Sequence, residues 1–459
     1  MIKKFFKDTS LYLVGDIFNK LAVFLLIPFY TNYFSVEEYG VLEQILIAIG
    51  ITNILVSLSS KTAFLRLYFN YDEEKVKEFL FNIIVLITSI SLFLFLFIVL
   101  FDVFNDSIYV TYSYFILSYV FLLSLNELSL TLLRVKKKIF NYSMFTLLKT
   151  ILELSLIILF VKYFDHGIIG KLEGSLLSML LLFSVIVKIL IWKNITLSIN
   201  FDYIKEYINY SYPLVVYGII GWVLISYDKI IINNNFSTKD LGIFALGMQI
   251  IMIYKYIAES SLKAFNVEIF SKPKIIESYF YEIIILILSI FIAFSLLLSF
   301  FVNDLIIVIS NINYIEAAIV FKYMIISRVL MIYNILMVMV LFVYSDTKAV
   351  SKTTYIGLVA TLISATMLIP YLHFLGAGIS SIIVFGIIGY FLTKKVKEYV
   401  DFTFDYKIIL LGLILLCGVF LSFFDMLIIY KLTLMGFVLF FIAILNYKFI
   451  SLKILKKGI

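Results

Sequence analysis

From Leu80 to Phe101 the chain reads LFNIIVLITSISLFLFLFIVLF without one charged residue, and runs of this kind recur to the C-terminus. About twenty apolar residues in succession is what an α-helix needs to cross roughly 30 Å of hydrocarbon. Inside a bilayer every backbone N–H and C=O must be satisfied within the segment, so such runs become helices. Composition agrees: 63% of the 459 residues are hydrophobic and 15% charged, whereas soluble domains are about half apolar and a quarter charged. The chain reads as an all-α polytopic membrane protein.

Fourteen spans can be placed, at residues 10–33, 41–60, 80–101, 109–133, 142–161, 168–192 and 207–232, then 241–262, 279–302, 314–344, 353–371, 376–393, 408–424 and 427–447. The N-terminal MIKKFFKDTS leads into a segment holding Asp16 and Lys20 and lacking a small-residue cleavage site. It reads as a first membrane helix, not a cleaved signal. Basic residues set the orientation. With the N-terminus inside, the inner segments collect Lys3, Lys4, Lys7, Lys61, Arg66, Arg134, Lys136, Lys137, Lys138, Lys394, Lys395, Lys397 and others. The outer segments hold little beyond Lys162, Lys171, Lys239 and Lys431. Both termini are therefore expected in the cytoplasm, with the chain in a bacterial cytoplasmic (inner) membrane. The net charge of +7 is mostly this bias; it calls for anionic membrane lipid and no nucleic acid. Outer connections are too short for a separate domain, so function must reside in the bundle.

The segment FSVEEYGVLEQILI at Phe34 returns as FSTKDLGIFALGMQI at Phe236. Two copies of one turn signal two copies of a unit. Basic loop, span, short outer turn and glycine-spaced next span also recur, after the fourth span and after the tenth. The expected organisation is six spans in residues 1–200, six in 201–397, and two appended spans in 398–459. Six is even, so the halves share one orientation, an arrangement suited to a substrate path. Gly40 and Gly242, in the two turns, and Pro28, near the end of the first span, are the candidate gating positions.

Ionisable residues within spans are costly and tend to face protein or a water-filled cavity. Asp16 and Lys20, Lys149 and Glu153, and Lys255 and Glu259 are each spaced i to i+4, where side chains are neighbours on a helix. Glu127, Asp228, Lys229, Lys322 and Arg328 also fall in spans, and Arg66 follows the second span closely. Each pair has a plain reading as a structural ion pair, and Asp228 and Lys229 as snorkelling groups near a span end. The excess of Lys20, Arg66, Lys149, Lys255, Lys322 and Arg328 over carboxylates would make a cationic cavity for an anionic substrate. Asp16, Glu127, Glu153, Glu259 and Asp228 are the candidate charge partners or ion-coupling groups. The one cysteine, Cys417, and two loop histidines, His166 and His373, offer nothing to build a Cys/His metal site from. No nucleotide loop is present, no cofactor is called for, and no catalytic arrangement emerges.

The run YLVGDIFNKLAVFLLIPFYTNYFSVEEYGVLEQ, with KTAFLRLYFNYDEE, LLRVKKKIFNY and SYPLVVYGIIGWVLISYDKIIINNNFSTKDLGIFALG, resembles bacterial polysaccharide (O-unit, Wzx-type) flippases. These belong to the multidrug/oligosaccharidyl-lipid/polysaccharide exporter superfamily. The resemblance covers essentially the whole chain. It implies a MATE-like bundle of fourteen helices, with two six-helix lobes around a V-shaped cavity. The implied cargo is an undecaprenyl-pyrophosphate-linked oligosaccharide moved from the inner to the outer leaflet, with polysaccharide polymerase and glycosyltransferases as neighbours in the pathway. A counter-ion, H⁺ or Na⁺, is a candidate driver through the intramembrane carboxylates. Lipid II flippases and cation-coupled multidrug exporters share the fold and are the alternatives; a membrane-embedded glycan polymerase would call for a larger outer loop than any here.

Overall fold

A computed structural model of the chain describes the backbone of residues 24, 26–102, 108–191, 194–271, 274–400, 406–424 and 426–446; within these, the side chains of residues 70, 101–102, 108–111, 253, 258–271, 274–279 and 406 are not described. The helices, in order, are α1 (residues 26–33), α2 (Val36–Ser57), α3 (Ser60–Leu67), α4 (Glu73–Asp102) and α5 (Ile108–Val135). They continue with α6 (Ile139–Ile158), α7 (Gly167–Leu190), α8 (Phe201–Asn235), α9 (Thr238–Ser271) and α10 (Lys274–Ile309). The last four are α11 (Ala317–Val343), α12 (Thr347–Val396), α13 (Tyr406–Leu421) and α14 (Ile428–Leu445). No strand occurs among the described residues. Eleven helices within the described residues are long and apolar enough to cross a membrane.

Exposure along α4 gives the environment independently of hydropathy. Leu92, Phe93, Leu96, Phe97 and Leu100 are each more than half exposed. In water such a face would be an association hazard; in a bilayer it is the surface the solvent requires. The molecule is a multi-pass membrane protein.

Two compact units divide the chain, Met1–Val223 and Leu224–Ile459. The division falls inside α8, whose first part packs with N-terminal helices. Tyr207 donates to the carbonyl of Ser57 at 3.2 Å and the Trp222 indole to that of Ile47 at 3.2 Å. Pro213 lies within α8. The segment 194–200 is clamped to α4: Asn82 donates to the carbonyl of Ser198 and accepts from the amide of Asn200, both at 2.9 Å. Phe79, fully buried, stacks there on Phe64, tilts against Tyr71 and meets Tyr203 and Tyr207 edge to face. The Tyr71 hydroxyl meets the Glu206 carboxylate. Burial first, and then Glu206, hold this phenol's pKa above its ordinary value.

The second unit is built around α11. Val320, Phe321, Met324, Ile325, Ile332, Leu336, Met337, Val340 and Leu341 are all fully buried, so α11 is covered on every side, as a helix apolar all round must be. Helices α9, α10, α12 and α13 pack on it, and α13 and α14 pack on α10. The 50 residues of α12 do not run straight. Ser364 and Ser380 would be about 24 Å apart along one helix at 1.5 Å per residue, yet their hydroxyls are 2.7 Å apart. The chain reverses at His373 (φ 53°, ψ −132°), so α12 is a hairpin carrying both spans predicted there. Its two ends meet: Asp346 caps the start, accepting from the amide of Ala349, and takes the Tyr399 hydroxyl from beyond the far end at 3.0 Å. The amide of Ala349, ahead of smaller contributions from Tyr399 and Lys395, holds the Asp346 carboxyl below its usual range.

The repeated turn resolves into two capping boxes. Ser35 accepts from the amide of Glu38, and Glu38 Oε2 accepts from that of Ser35 at 2.8 Å, starting α2. Ser237 and Asp240 repeat the exchange at the start of α9. Gly40 and Gly242, expected as turn residues, instead lie buried in the first turns of these helices. Ser237→Ala should cost about 1 kcal/mol by removing a helix cap, read as a drop of about 3 °C in the unfolding midpoint; an unchanged midpoint would deny the cap an energetic role.

Candidate functional site

In the N-terminal unit, charges converge on α6. Lys149 Nζ and Glu153 Oε2 lie 3.6 Å apart, each about one-fifth exposed. Glu153 also acts electrostatically on Tyr30, Tyr119 and Lys171. Glu127, on α5, lies in the field of Lys61 and Lys149. Three cations therefore share this region with two carboxylates. Lys171, assigned by sequence to the outer surface, is buried on α7, and Glu43 is buried on α2. Sequence reasoning passed over both. The signal for Glu43 was available, because it stands inside an apolar run.

In the C-terminal unit, Asp228 on α8 and Arg328 on α11 attract each other, with Lys229 beside them and the Ser381 hydroxyl donating to the carboxylate. The Arg328 guanidinium lies 5.6 Å above the Phe385 ring and reaches Met248 Sδ at 4.0 Å. Asp228 Oδ1 and Arg328 Nε are both buried without a hydrogen-bond partner. Asp228 is thus held within the protein, not snorkelling at an interface. Its free oxygen and the free guanidinium N–H together can engage a group that both donates and accepts, as a hydroxyl does.

Other candidates are placed differently. The Lys322 ammonium donates to the carbonyl of Ser422 at 2.7 Å and lies 5.2 Å over Phe423. It caps the C-terminal end of α13, where a cation complements the helix dipole. Arg66 is exposed at the end of α3 and Lys255 is half-buried on α9. Pro28 is half-buried in α1. Asp16 and Lys20 lie outside the described residues, as does the side chain of Glu259.

One cavity in this unit went unread in the sequence. Between α10, α11, the second arm of α12 and α13 is a cleft of about 780 Å³, lined by Leu288, Ile292, Leu330, Phe385, Leu411 and Leu415 among others. Tyr333 and Thr393, hydrogen-bonded at 2.6 Å, lie along it, and Lys394 and Lys397 stand at the end of α12. Gly386 and Gly412 also line it, and a Cβ on either would meet nothing within 4 Å. Phe385 links the cleft to Arg328, which lies over its ring.

Charged groups are thus held inside an apolar helical bundle, with a cleft of about 780 Å³ beside one set. The chain belongs to the family described as polysaccharide biosynthesis protein, whose sequence profile matches residues 33–275. It is 24% identical over 410 residues to the Lsg locus putative protein 1 of Haemophilus influenzae, covering 86% of this chain and 99% of that one. Its fold is that of the lipid II flippase MurJ in an inward closed conformation (TM-score 0.77, 16% identity, 96% and 100% of the two chains). It is also similar to an inward-facing multidrug resistance MATE family transporter of the MOP superfamily (TM-score 0.60, 15% identity, 83% and 95%).

Proposed function

We propose that the chain flips a polyprenyl-pyrophosphate-linked oligosaccharide, the O-unit class of cargo, from the inner to the outer leaflet for surface polysaccharide assembly. The protein would lie in the bacterial inner membrane with both termini cytoplasmic, exposing its binding groups to the two leaflets in turn. The observation that carries this reading is the cleft ending at Lys394 and Lys397. An apolar chain gains about 0.8 kcal/mol per CH₂ withdrawn from water, but nothing comparable on leaving lipid, so the cleft selects by shape and the lysines by charge. A polyprenyl pyrophosphate supplies both. Arg328 and Asp228 offer hydroxyl recognition to sugars, and the cationic excess around Lys149 suits an anionic cargo. A cationic drug would instead favour carboxylates in excess. Glycosyltransferases would supply the cargo and a polymerase consume it. An H⁺ or Na⁺ gradient acting through Glu127 or Glu153 is the proposed drive.

The test uses purified protein in liposomes, with leaflet exposure of a polyprenyl-pyrophosphate oligosaccharide, of lipid II and of a cationic dye followed in parallel. Gly386→Leu and Gly412→Leu fill the cleft without backbone collision. Each is expected to slow flipping about tenfold, equivalent to about 1.4 kcal/mol, in a protein that remains folded. Dye export with the oligosaccharide left in its leaflet would overturn the function, and undiminished flipping in both variants would remove the cleft from it.

A further inference from the structure

The chain's two histidines occupy matching places in the two repeats. His166 stands at the reversal between α6 and α7, next to Asp165 and Gly167, both with positive φ (56° and 54°). His373 is itself the positive-φ reversal of the α12 hairpin. Each imidazole faces a carboxylate: His166 Nδ1 is 2.6 Å from Glu173 Oε2, and His373 Nε2 is 3.2 Å from Asp240 Oδ1.

The capping boxes complete the parallel. Asp240 gives Oδ2 to the amide of Ser237 at 3.1 Å and turns Oδ1 to His373. Glu38 gives Oε2 to the amide of Ser35, and its Oε1 lies 3.8 Å from where a Cβ on Gly167 would stand. In both repeats one oxygen of the capping acid starts a helix and the other faces a hairpin reversal that carries a histidine. The charged groups around His166 are Glu173 and Glu38 across the turn, with Asp165 and Lys162 on its own segment; around His373 they are Asp240 and, one residue earlier on α9, Lys239. Phe160 and Phe164 flank the first imidazole, and Phe236 and Phe374 the second.

We propose that His166 and His373 are a matched pair of proton-operated latches, one per repeat: when protonated, His166 ties its reversal to Glu173 on α7 and His373 ties the α12 reversal to the capped start of α9. Histidine is the side chain that ordinarily changes charge between pH 5 and 8. Below that change the imidazolium faces a carboxylate and the latch holds. Above it the ring is neutral, the charge attraction is gone, and the reversal is released from that carboxylate. The basic-residue bias assigns these reversals to the exterior, so external acid would hold both latches. The inference stands apart from the identity of the cargo, because both contacts are made by residues at the hairpin reversals.

Hydrogen–deuterium exchange on the full chain in nanodiscs at pH 5.5 and 7.5, corrected for intrinsic rates, tests it. Amides of residues 164–174, and of 371–376 and 238–244, should exchange about threefold more slowly at pH 5.5, the scale of a partly exposed ion pair. His166→Gln should abolish the difference in the first segment alone, and His373→Gln in the last two alone. Equal corrected rates at the two pH values in the native chain would overturn the proposal without recourse to any variant, and so would an undiminished difference in the glutamine variants.

Discussion

Arg328→Met is expected to destabilise the protein by about 3–5 kcal/mol, the cost of stripping a buried ion of its partner. The methionine matches the aliphatic stem over Phe385 and beside Met248, so the loss is of charge more than of packing. What remains is the Asp228 carboxylate, with one oxygen on Ser381 and Oδ1 already without a partner. Lys229 follows Asp228 on α8; it moderates the loss without replacing a cation presented from α11. For a unit of this size the expected fall in unfolding midpoint is on the order of 10 °C. The double variant Asp228→Asn with Arg328→Met should recover most of it, because two neutral groups of similar shape no longer need each other. Thermal unfolding of native, single and double variants in one lipid mixture forms the double-mutant cycle. Additive losses would show that the two charges are independent. In the folded double variant, undiminished oligosaccharide flipping would show that the pair is structural alone.

The spans were legible because an apolar run of about twenty residues is a one-dimensional signal, and each predicted span from 41–60 onward coincides with a helix. The α12 hairpin was read as two spans even though its reversing residue is a histidine and not the glycine or proline that usually marks such a turn. The repeated FS motif was legible as a repeat, but attention fell on its glycines. The Ser-x-x-Glu and Ser-x-x-Asp spacing, a helix-start signature, named the residues that matter. Contacts between distant segments were not legible. Asp228 and Arg328 meet only because α8 and α11 do, and Lys322 was placed by depth with no sign that α13 ends on it. Lys394 and Lys397 were counted toward topology, since nothing local says that α10, α11 and α13 leave a cleft beside them.

Gly376→Val should abolish accumulation of folded protein. The reversal at His373 brings the second arm of α12 back against the first at once, and Gly376 stands directly against that first arm. A Cβ there would collide with the carbonyl of Leu368 and stand 2.8 Å from Ile369 Cα. These are backbone atoms of a helix, so they cannot swing aside as a side-chain end could. Overpacking an ordinary core costs about 1–3 kcal/mol, and here the backbone hairpin itself must open, at a cost at or above the top of that range. Against a total stability of about 5–15 kcal/mol, the hairpin that α11 packs on would be lost. Gly386→Ala, ten residues along the same arm with open space around it, separates this collision from any general intolerance of α12 to larger residues. It should be neutral, or stabilising by up to about 1 kcal/mol through helix propensity. Size-exclusion profiles of the two variants, with the unfolding midpoint wherever a folded peak survives, decide it. A monodisperse Gly376→Val protein with a native midpoint would mean that the arms of α12 are not packed backbone to backbone.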